Sequence, residues 1–423
     1  MEKSSINMSP EMDKPICTIP LFRRGASYVS YDKHPLGMEL DPPVNICMAP
    51  WILLKQDVSW IHTTLSQLPP LPSPKAQRRI ITNALISFSS GIVEVPGIGP
   101  QSPEDFFDLM NNVAGLPAKL VNQWLELLPT AYEQEAQSIV YEGGINLVSL
   151  PKNTFLCLTT VLTGLLSSDI VWIRPSRSEP FAAARLLGAL IEAGWPAERL
   201  GFYPTSHDSL SRAVNWIDRA TLFGNYTPQE ITDAPTHIQM KGAGRTRVLV
   251  GKNVDTEQAA SWLSHAIAGN GGRFCTNVGT ILCEGDIEPL ASSLAKRLDD
   301  IDLSESSPFP QSHPSLVFNP PSLDQWIQSQ MQRGDRKYTM RSLEIAGKFA
   351  PCLIALANTQ DHPLIGAELP LSFASITSAS ETQFASLCHD AAFIYLLGME
   401  APIELQYSAP IAEVIPISLP SID

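Results

Sequence analysis

Short apolar runs alternate with longer amphipathic ones between residues 145 and 250. The short runs are rich in β-branched and aromatic residues and predict buried strands: INLVSL (145–150), DIVWI (169–173), LGFYP (200–204), ATLFG (220–224) and TRVLVG (246–251). Two longer runs predict helices, TFLCLTTVLTGLLSS (154–168) and PFAAARLLGALIEAG (180–194). Strands that alternate with helices form βαβ units, so the sequence predicts a doubly wound parallel sheet.

A second α/β unit is predicted from about residue 250 to residue 400. A helix over 255–268 leads into the glycine-rich segment GNGGRFCTNVGT (269–280), and the strand VGTILCEG (278–285) follows. The tail, 403–420, alternates apolar and polar residues and contains several prolines, which predicts an edge strand or an extended arm.

Composition excludes several classes of protein. The chain has 423 residues, of which 44% are hydrophobic and 17% are charged, as in an ordinary globular protein of two or three domains. Its net charge of −14 argues against a general nucleic-acid-binding face. The N-terminus lacks the apolar run of a signal peptide, and the longest apolar run is too short to span a bilayer. We therefore expect a cytoplasmic protein without membrane contact.

The seven cysteines are expected to be reduced, because they form no CxxC pair and the chain is large. No Cys/His cluster has metal-ligand spacing, so no metal site is expected. Cys157 and Cys352 have apolar neighbours, which predicts thiols that fill a core. Cys275 does not fit that prediction, because its neighbours are small and polar.

Four motifs occur in one order along the chain: LPKNTF (150–155), VWIRPSRSEP (171–180), KGAGRTRVLV (241–250) and GNGGRFCTN (269–277). In that order they resemble the aldehyde dehydrogenase superfamily, whose members carry Pro-x-Asn, Lys-Pro-Ser, Glu-Leu-Gly-Gly-Lys and Gly-x-x-Cys signatures. The resemblance covers about residues 140–400, and the first 130 residues match only loosely. This family binds its nicotinamide cofactor without a GxGxxG motif, which this chain also lacks.

The resemblance implies two doubly wound α/β domains. Residues 1–243 would form the nicotinamide-cofactor-binding domain and residues 244–400 the catalytic domain. Residues 401–423 would form a C-terminal strand or oligomerisation arm.

Two catalytic residues are implied by the same resemblance. Cys275 falls at the position of the nucleophile, whose thiolate forms a covalent intermediate. Asn153 matches the side-chain oxyanion donor, which would act with the backbone N–H of Cys275. One such donor typically lowers a barrier by about 3–4 kcal/mol. Asn153 could instead cap the helix predicted to follow it, and the two roles could coexist.

Lys241 is the main departure from the family pattern. It stands 34 residues before Cys275, where hydrolytic members have the glutamate that activates water. A protonated lysine cannot do this unless it is strongly desolvated. An acyl-cysteine would then persist until a thiol or a hydride removed it. That behaviour resembles the acylating branch, and LLSSDIVWIRPSRSEPF (165–181) resembles the acyl-CoA reductases of bacterial bioluminescence.

A second departure concerns the cofactor. Arg174 replaces the lysine of Lys-Pro-Ser, Ser176 keeps its serine, and Arg177 stands where NAD-preferring members often have a glutamate. A guanidinium can bind a 2′-phosphate, and such a charge-assisted bond contributes about 1.5–3 kcal/mol. We therefore expect NADPH (NADP+) as the cofactor. The alternative is that Arg177 is a solvated loop residue.

Other residues are implied with less of the motif in place. Gly224 and Asn225 stand at a turn that contacts the pyrophosphate or the nicotinamide. Glu368, in GAELPLSF (366–373), falls near the element that binds the nicotinamide ribose, although that element's phenylalanine and glycine are missing. Arg273 and Asn277 flank the nucleophile and could line the substrate entrance or lower the thiol pKa. His265 is expected to be structural.

The function predicted from these residues is NADPH-dependent reduction of an acyl thioester to an aldehyde. The acyl group would arrive on coenzyme A or on a carrier protein. Two alternatives remain open, an oxidative NAD(P)-dependent aldehyde dehydrogenase and a degenerate, non-catalytic partner subunit. The segment before Asn153 is shorter than the family's dimerisation hairpin, and a homodimer is still favoured over a monomer.

Overall fold

The computed structural model describes residues 16–37, 40, 43–224, 237–314, 320–359, 361–402, 405 and 413–417. Their helices are α1 (Trp51–Thr64), α2 (Pro74–Ser90), α3 (Pro103–Ala114), α4 (Ala118–Ala136), α5 (Leu158–Ser167), α6 (Phe181–Glu192), α7 (His207–Ala213), α8 (Thr256–Ala268), α9 (Glu288–Asp299), α10 (Pro320–Gln330) and α11 (Glu381–Cys388).

The strands of the first half of the chain are β1 (Cys17–Ile19), β2 (Leu21–Arg23), β3 (Ala26–Tyr28), β4 (Lys33–Gly37), β5 (Val44–Cys47), β6 (Val93–Val95), β7 (Gly99–Gln101), β8 (Ile145–Ser149), β9 (Ile170–Arg174), β10 (Leu200–Phe202), β11 (Arg219–Phe223) and β12 (His237–Lys241). Those of the second half are β13 (Arg247–Val250), β14 (Thr280–Cys283), β15 (Arg336–Lys337), β16 (Glu344–Ile345), β17 (Lys348–Phe349), β18 (Cys352–Ala355), β19 (Phe373–Ser378), β20 (Phe393–Leu397) and β21 (Glu413–Ile417).

Two seven-stranded sheets organise the molecule. The first has the order β12-β11-β8-β9-β10-β2-β3, and its five strands from β12 to β10 are parallel. The second has the order β15-β18-β19-β14-β13-β20-β21 and is parallel except at β15. The prediction of doubly wound α/β sheets is therefore confirmed. The chain passes from the first sheet to the second between residues 241 and 247.

The central parallel strands are buried along their whole length, as strands covered by helices on both faces must be. All five residues of β8 and all five of β9 are buried. This explains why they appear in the sequence as continuous apolar runs rather than as alternating ones. None of the helices in the described part of the chain is long and apolar enough to cross a membrane.

The structure corrects the sequence-based expectation at α5 and β12 and agrees with it at the tail. The helix predicted over 154–168 begins only at Leu158, and its N-cap residue is Cys157, so the prediction that Asn153 caps this helix is wrong. Strand β12 was not predicted, because it lies at a sheet edge and four of its five residues are exposed. In the tail, β21 forms the predicted edge strand, and it pairs with β20 of the same chain.

Arg185 joins α6 to the N-terminal helices through backbone oxygens. This fully buried guanidinium donates from Nε to Phe88 O (2.9 Å), from Nη1 to Gln101 O (2.8 Å) and from Nη2 to Gly91 O (2.7 Å). Burial lowers its pKa to about 10, so it remains charged at neutral pH. Without it, three carbonyl groups in the protein interior would lose a donor.

We predict that Arg185→Met lowers the free energy of unfolding by about 3 kcal/mol, because hydrogen bonds to charged groups contribute about 1.5–3 kcal/mol each and repacking recovers only a part. Guanidinium chloride denaturation measures this. The matched control is Arg212→Met, whose guanidinium forms an exposed pair with Asp208 at 3.3 Å. This control substitution should lower the free energy of unfolding by less than about 1 kcal/mol. Equal losses would contradict the prediction.

Candidate active site

A cavity of about 1130 Å³ lies between the first sheet and the glycine-rich cysteine loop. Residues at the carboxyl ends of four parallel strands, β8, β9, β11 and β12, line it, which is where doubly wound proteins bind ligands. Its wall contains seven of the residues singled out in the sequence for catalysis or cofactor binding: Asn153, Arg174, Ser176, Arg177, Gly224, Cys275 and Glu368. Lys241 lines the same cavity. Asn225 lies outside the described residues.

The cysteine loop has a backbone that requires glycine. Asn270, Gly271 and Gly272 have φ values of 54°, 62° and 71°, in the left-handed region. A Cβ atom on Gly272 would also lie 2.4 Å from the carbonyl oxygen of Leu371. The glycine run is therefore explained by the tight turn that places Cys275 at the cavity.

Asn277 holds this loop together. Its Oδ1 accepts from the N–H of Phe274 (2.8 Å), and its Nδ2 donates to the carbonyl groups of Ala266 (2.8 Å) and Gly269 (2.9 Å). These bonds link both ends of the loop to the end of α8. Asn277 also lines the cavity, so its expected place at the substrate entrance stays a prediction beside this positional role.

Arg273 ties the loop to the rest of the molecule. Its buried side chain donates from Nη2 to Ala114 O (2.7 Å), from Nε to Asn153 O (3.1 Å) and from Nη1 to Ser312 Oγ (3.4 Å). Burial lowers its pKa to about 9, and the nearby carboxylate of Glu179 opposes this. The expectation that Arg273 lowers the thiol pKa is not met, because the charges that act most strongly on Cys275 belong to other residues.

The Cys275 thiol is exposed to the cavity. Burial raises the pKa of this thiol, and the carboxylate of Glu368 raises it further. Backbone N–H groups and the ammonium of Lys241 oppose this increase. Its carbonyl oxygen accepts from Thr246 Oγ1 at 2.6 Å. Gly244 lies so close that a Cβ there would be 1.7 Å from the same oxygen. Residues 244–246 thus clamp the backbone of Cys275.

Asn153 lies against Arg273, two residues before Cys275. Its Nδ2 donates to Arg273 O at 2.7 Å, and Arg273 Nε donates back to Asn153 O. An amide NH₂ has two donors, and this bond uses one of them. The reciprocal pair holds the Asn153 side chain beside the cysteine loop.

The residues predicted to bind the cofactor lie in the wall formed by the first sheet. Arg174 is buried and donates to Ser149 Oγ (3.1 Å) and Thr205 O (2.9 Å). Arg177 is half-buried, and none of the described residues forms a hydrogen bond or ion pair with it. Ser176 Oγ accepts from the N–H of Ser178. Gly224, with φ of 114°, donates its N–H to Lys241 O at 3.1 Å.

Lys241 stands where, in the family that the sequence resembles, hydrolytic members have the water-activating glutamate. It is exposed at the end of edge strand β12, and its Nζ lies 5.4 Å from the centre of the Phe223 ring. Its charge reaches the thiols of Cys275 and Cys157. The side chain is exposed to solvent, and this position has no carboxylate.

The lining of the cavity is more positive than the chain as a whole. Among its described residues it has two carboxylates, on Glu135 and Glu368, and more than twice as many cations: Lys152, Arg174, Arg177, Lys241 and Arg273. The whole chain has a net charge of −14. A cationic cleft in an anionic protein attracts a polyanionic ligand, such as a phosphorylated nucleotide.

Cys157 was missed by sequence reasoning as a cavity residue. It packs against the hydrophobic core as predicted, but it is half-buried and also lines the cavity. Burial raises its pKa to about 12, and the neighbouring Cys275 adds to this. Its apolar sequence neighbours gave no signal of the cavity. Cys352 is buried, as predicted. His265 is exposed, and its Nδ1 lies 2.7 Å from Ser261 O, which agrees with a structural role.

Comparisons with known proteins find similar structures but no similar sequences. No protein-family model and no curated sequence matches the chain. Among solved structures, lactaldehyde dehydrogenase from Escherichia coli superposes with a TM-score of 0.73 at 12% identity, over 95% of this chain and 91% of that one. The chain has the aldehyde dehydrogenase fold.

Two further structures with this fold were solved with a small molecule bound. NADP-dependent glyceraldehyde-3-phosphate dehydrogenase from Bacillus halodurans C-125, complexed with NADP, has a TM-score of 0.74 at 12% identity and covers 94% of this chain and 90% of its own. Salicylaldehyde dehydrogenase from Pseudomonas putida G7, complexed with salicylaldehyde, has a TM-score of 0.71 at 13% identity, with coverages of 96% and 91%. Identities this low establish the aldehyde dehydrogenase fold and leave the reaction to be argued from the site.

We predict that Gly244→Ala displaces the cysteine loop, because the added methyl group would overlap Cys275 O. Overpacking of this kind typically costs about 1–3 kcal/mol. Thermal unfolding and the rate at which iodoacetamide alkylates Cys275 should both change.

Gly242→Ala is the matched control, because nothing lies within 4 Å of a Cβ at that position. Its stability should stay within about 0.5 kcal/mol of the parent. The same response from both variants would show that Gly244 is not a close contact of the loop.

Proposed function

We propose that this protein reduces an acyl thioester to an aldehyde with NADPH, through a covalent intermediate on Cys275. The observation that carries the proposal is the exposed lysine, Lys241, at the position of the water-activating glutamate. With no carboxylate at position 241 to activate water, the acyl-cysteine is not hydrolysed rapidly. A hydride or a thiol then removes the acyl group.

The chain's own residues account for the acyl-transfer step. The Cys275 thiol attacks the carbonyl carbon of the thioester and loses its proton, and the donor sulfur takes up a proton and leaves as a thiol. The second N–H of the Asn153 amide and the backbone N–H of Cys275 would hold the negative oxygen that forms. A bound NADPH would supply the hydride that converts the acyl-cysteine to a thiohemiacetal. Cys275 then departs as a thiolate and the aldehyde is released.

The cavity fits a phosphorylated dinucleotide. Arg177 is a half-buried cation in its wall, and we assign it to the 2′-phosphate of NADPH. Arg174 and Ser176 would contact the adenosine half, and Gly224, with Asn225 next to it, the pyrophosphate or nicotinamide. Glu368 can reach a ribose hydroxyl from the same cavity. We propose NADPH over NADH because a glutamate is absent at position 177.

An oxidative aldehyde dehydrogenase is the second candidate. It is favoured by Glu368, a carboxylate that lines the cavity with Cys275 and could activate a water molecule there. Its N–H partners on residues 244 and 245 already occupy part of that carboxylate. The direction of the reaction separates the two candidates.

The decisive test offers octanoyl-CoA, an octanoyl carrier protein and octanal separately, with NADPH, NADH and the oxidised cofactors, to the parent enzyme and to Cys275→Ala. We expect NADPH oxidation with release of octanal from one of the thioesters, and its loss in the variant. Cofactor reduction with octanal alone, giving the acid without a thiol, would establish the oxidative candidate. Failure to bind any nicotinamide cofactor would instead indicate a non-catalytic subunit.

A second prediction concerns cofactor choice. Arg177→Glu should reduce the preference for NADPH over NADH by about 10- to 150-fold, the ratio that corresponds to a charge-assisted bond of about 1.5–3 kcal/mol. The ratio of kcat/KM for the two cofactors measures this. Lys252→Glu makes the same charge change at an exposed position and should leave the ratio unchanged. An unchanged ratio in Arg177→Glu would show that Arg177 is a solvated loop residue and does not select the cofactor.

A further inference from the structure

Glu368 lies on a segment that runs alongside the cysteine loop. Two glycines, Gly272 and Gly279, flank Cys275 in the sequence. A Cβ on Gly272 would lie 2.4 Å from Leu371 O, and one on Gly279 would lie 3.2 Å from Ala367 O. The backbone of residues 367–371 is therefore packed against both sides of the loop, and Glu368 is within that segment.

The Glu368 carboxylate is held by the turn that clamps Cys275. Its Oε1 accepts from the N–H of Arg245 at 2.9 Å, and the N–H of Gly244 also bonds to this carboxylate. Gly244 is the residue whose backbone touches the carbonyl oxygen of Cys275. A short and rigid connection thus links the carboxylate to the nucleophile. Both side chains are exposed to the same cavity.

Glu368 affects the ionisation of the Cys275 thiol. The Glu368 carboxylate raises the pKa of Cys275, and the surrounding protein raises the pKa of Glu368 itself. On the β12 side, the ammonium of Lys241 favours the thiolate. Glu368 is therefore a carboxylate in the same cavity whose charge acts on the Cys275 thiol.

The remaining charged groups act on the ionisation of Glu368 or of the neighbouring Cys157 thiol. Arg245 and Arg247 favour the ionised form of Glu368. Glu135 and Cys157 approach from the side of α4 and α5, and the charge of Glu135 acts on the Cys157 thiol. Among the described carboxylates, Glu368 is thus the one placed to exchange a proton with Cys275, and Glu135 provides a natural comparison.

We propose that Glu368 is the acid–base partner of Cys275. As the Cys275 sulfur forms its bond to the acyl carbon, Glu368 takes the thiol proton. As the bond between that carbon and the donor sulfur breaks, Glu368 gives the same proton to the leaving thiol. One S–C bond forms, one breaks, and no electrons are exchanged with a cofactor. This inference rests on the proposed function and adds a catalytic role that the resemblance does not assign to Glu368.

The first measurement needs no substrate. Iodoacetamide alkylation of Cys275 is followed by peptide mass mapping between about pH 5 and pH 10 in the parent, Glu368→Gln and Glu135→Gln. Removing the Glu368 charge should move the alkylation profile to lower pH, and a shift of one pH unit would make the reaction at pH 7 about tenfold faster. Glu135→Gln should superimpose on the parent. A profile for Glu368→Gln that matches the parent would overturn the proposal.

The second measurement is the release of coenzyme A from octanoyl-CoA in a single turnover without NADPH. Loss of a general base typically slows such a step about 10²- to 10⁴-fold. We therefore expect Glu368→Gln to release coenzyme A more slowly although its thiol is alkylated faster, with partial recovery in Glu368→Asp. Release at the parent's rate, with only the KM for NADPH raised, would show a ribose contact and sink the acid–base role.

Failure of the proposed substrate is distinguishable from failure of this inference. If the parent releases no thiol from either octanoyl-CoA or an octanoyl carrier protein, thioester reduction is rejected and the comparison is made with octanal and NADP+. Cys275 must lose the same proton to attack an aldehyde. A slower burst of NADPH formation in Glu368→Gln, together with faster alkylation, would then support the acid–base pair, and an unaltered burst would reject it.

Discussion

The buried guanidinium of Arg273 is the constraint on which the site depends. It belongs to the cysteine loop, and it donates to Ala114 and Asn153, which precede the second sheet in the chain, and to Ser312. Burying a charge is costly unless its donors are satisfied, and burial lowers the pKa of this arginine to about 9. Three hydrogen bonds to neutral oxygens offset that cost, so the loop has one well-defined position.

The catalytic geometry follows from this anchor. Because Asn153 donates to Arg273 O and receives a bond from Arg273 Nε, Asn153 and the cysteine loop are positioned as a unit. On the other side, residues 244–246 hold the carbonyl group of Cys275 through Thr246 and through the close approach of Gly244. The thiol is then presented to the cavity from a backbone that is restrained at several points, as preorganised catalysis requires.

The charged residues differ between the two parts of the cavity, the wall formed by the first sheet and the region around the Cys275 sulfur. Arginines line the wall formed by the carboxyl ends of the first sheet, where an anionic cofactor fits. Near the sulfur, one carboxylate and one ammonium act on the thiol in opposite directions, Glu368 raising its pKa and Lys241 lowering it. Position 241 has a lysine, and Glu368 is the carboxylate that acts most strongly on the Cys275 thiol.

The sequence by itself determined the α/β architecture and the position of the reactive loop. Strands β8, β9 and β11 and helices α6 and α8 appear where the periodicity predicts them, because the apolar pattern of a buried element is a local property. The motifs around Asn153, Arg174 and Cys275 were visible for the same reason. Edge strand β12 was not, because it buries little and has no such pattern.

Only the tertiary structure decided how the site's side chains are used. Arg273 and Asn277 flank the nucleophile in sequence, yet their hydrogen bonds go to protein oxygens and they act as anchors. Cys157 has the neighbours of a core thiol and nevertheless lines the cavity. Glu368 is almost a hundred residues from Cys275 and still acts on its pKa. These contacts join segments far apart in the chain, and their energy depends on burial and distance, which no local pattern of residues encodes.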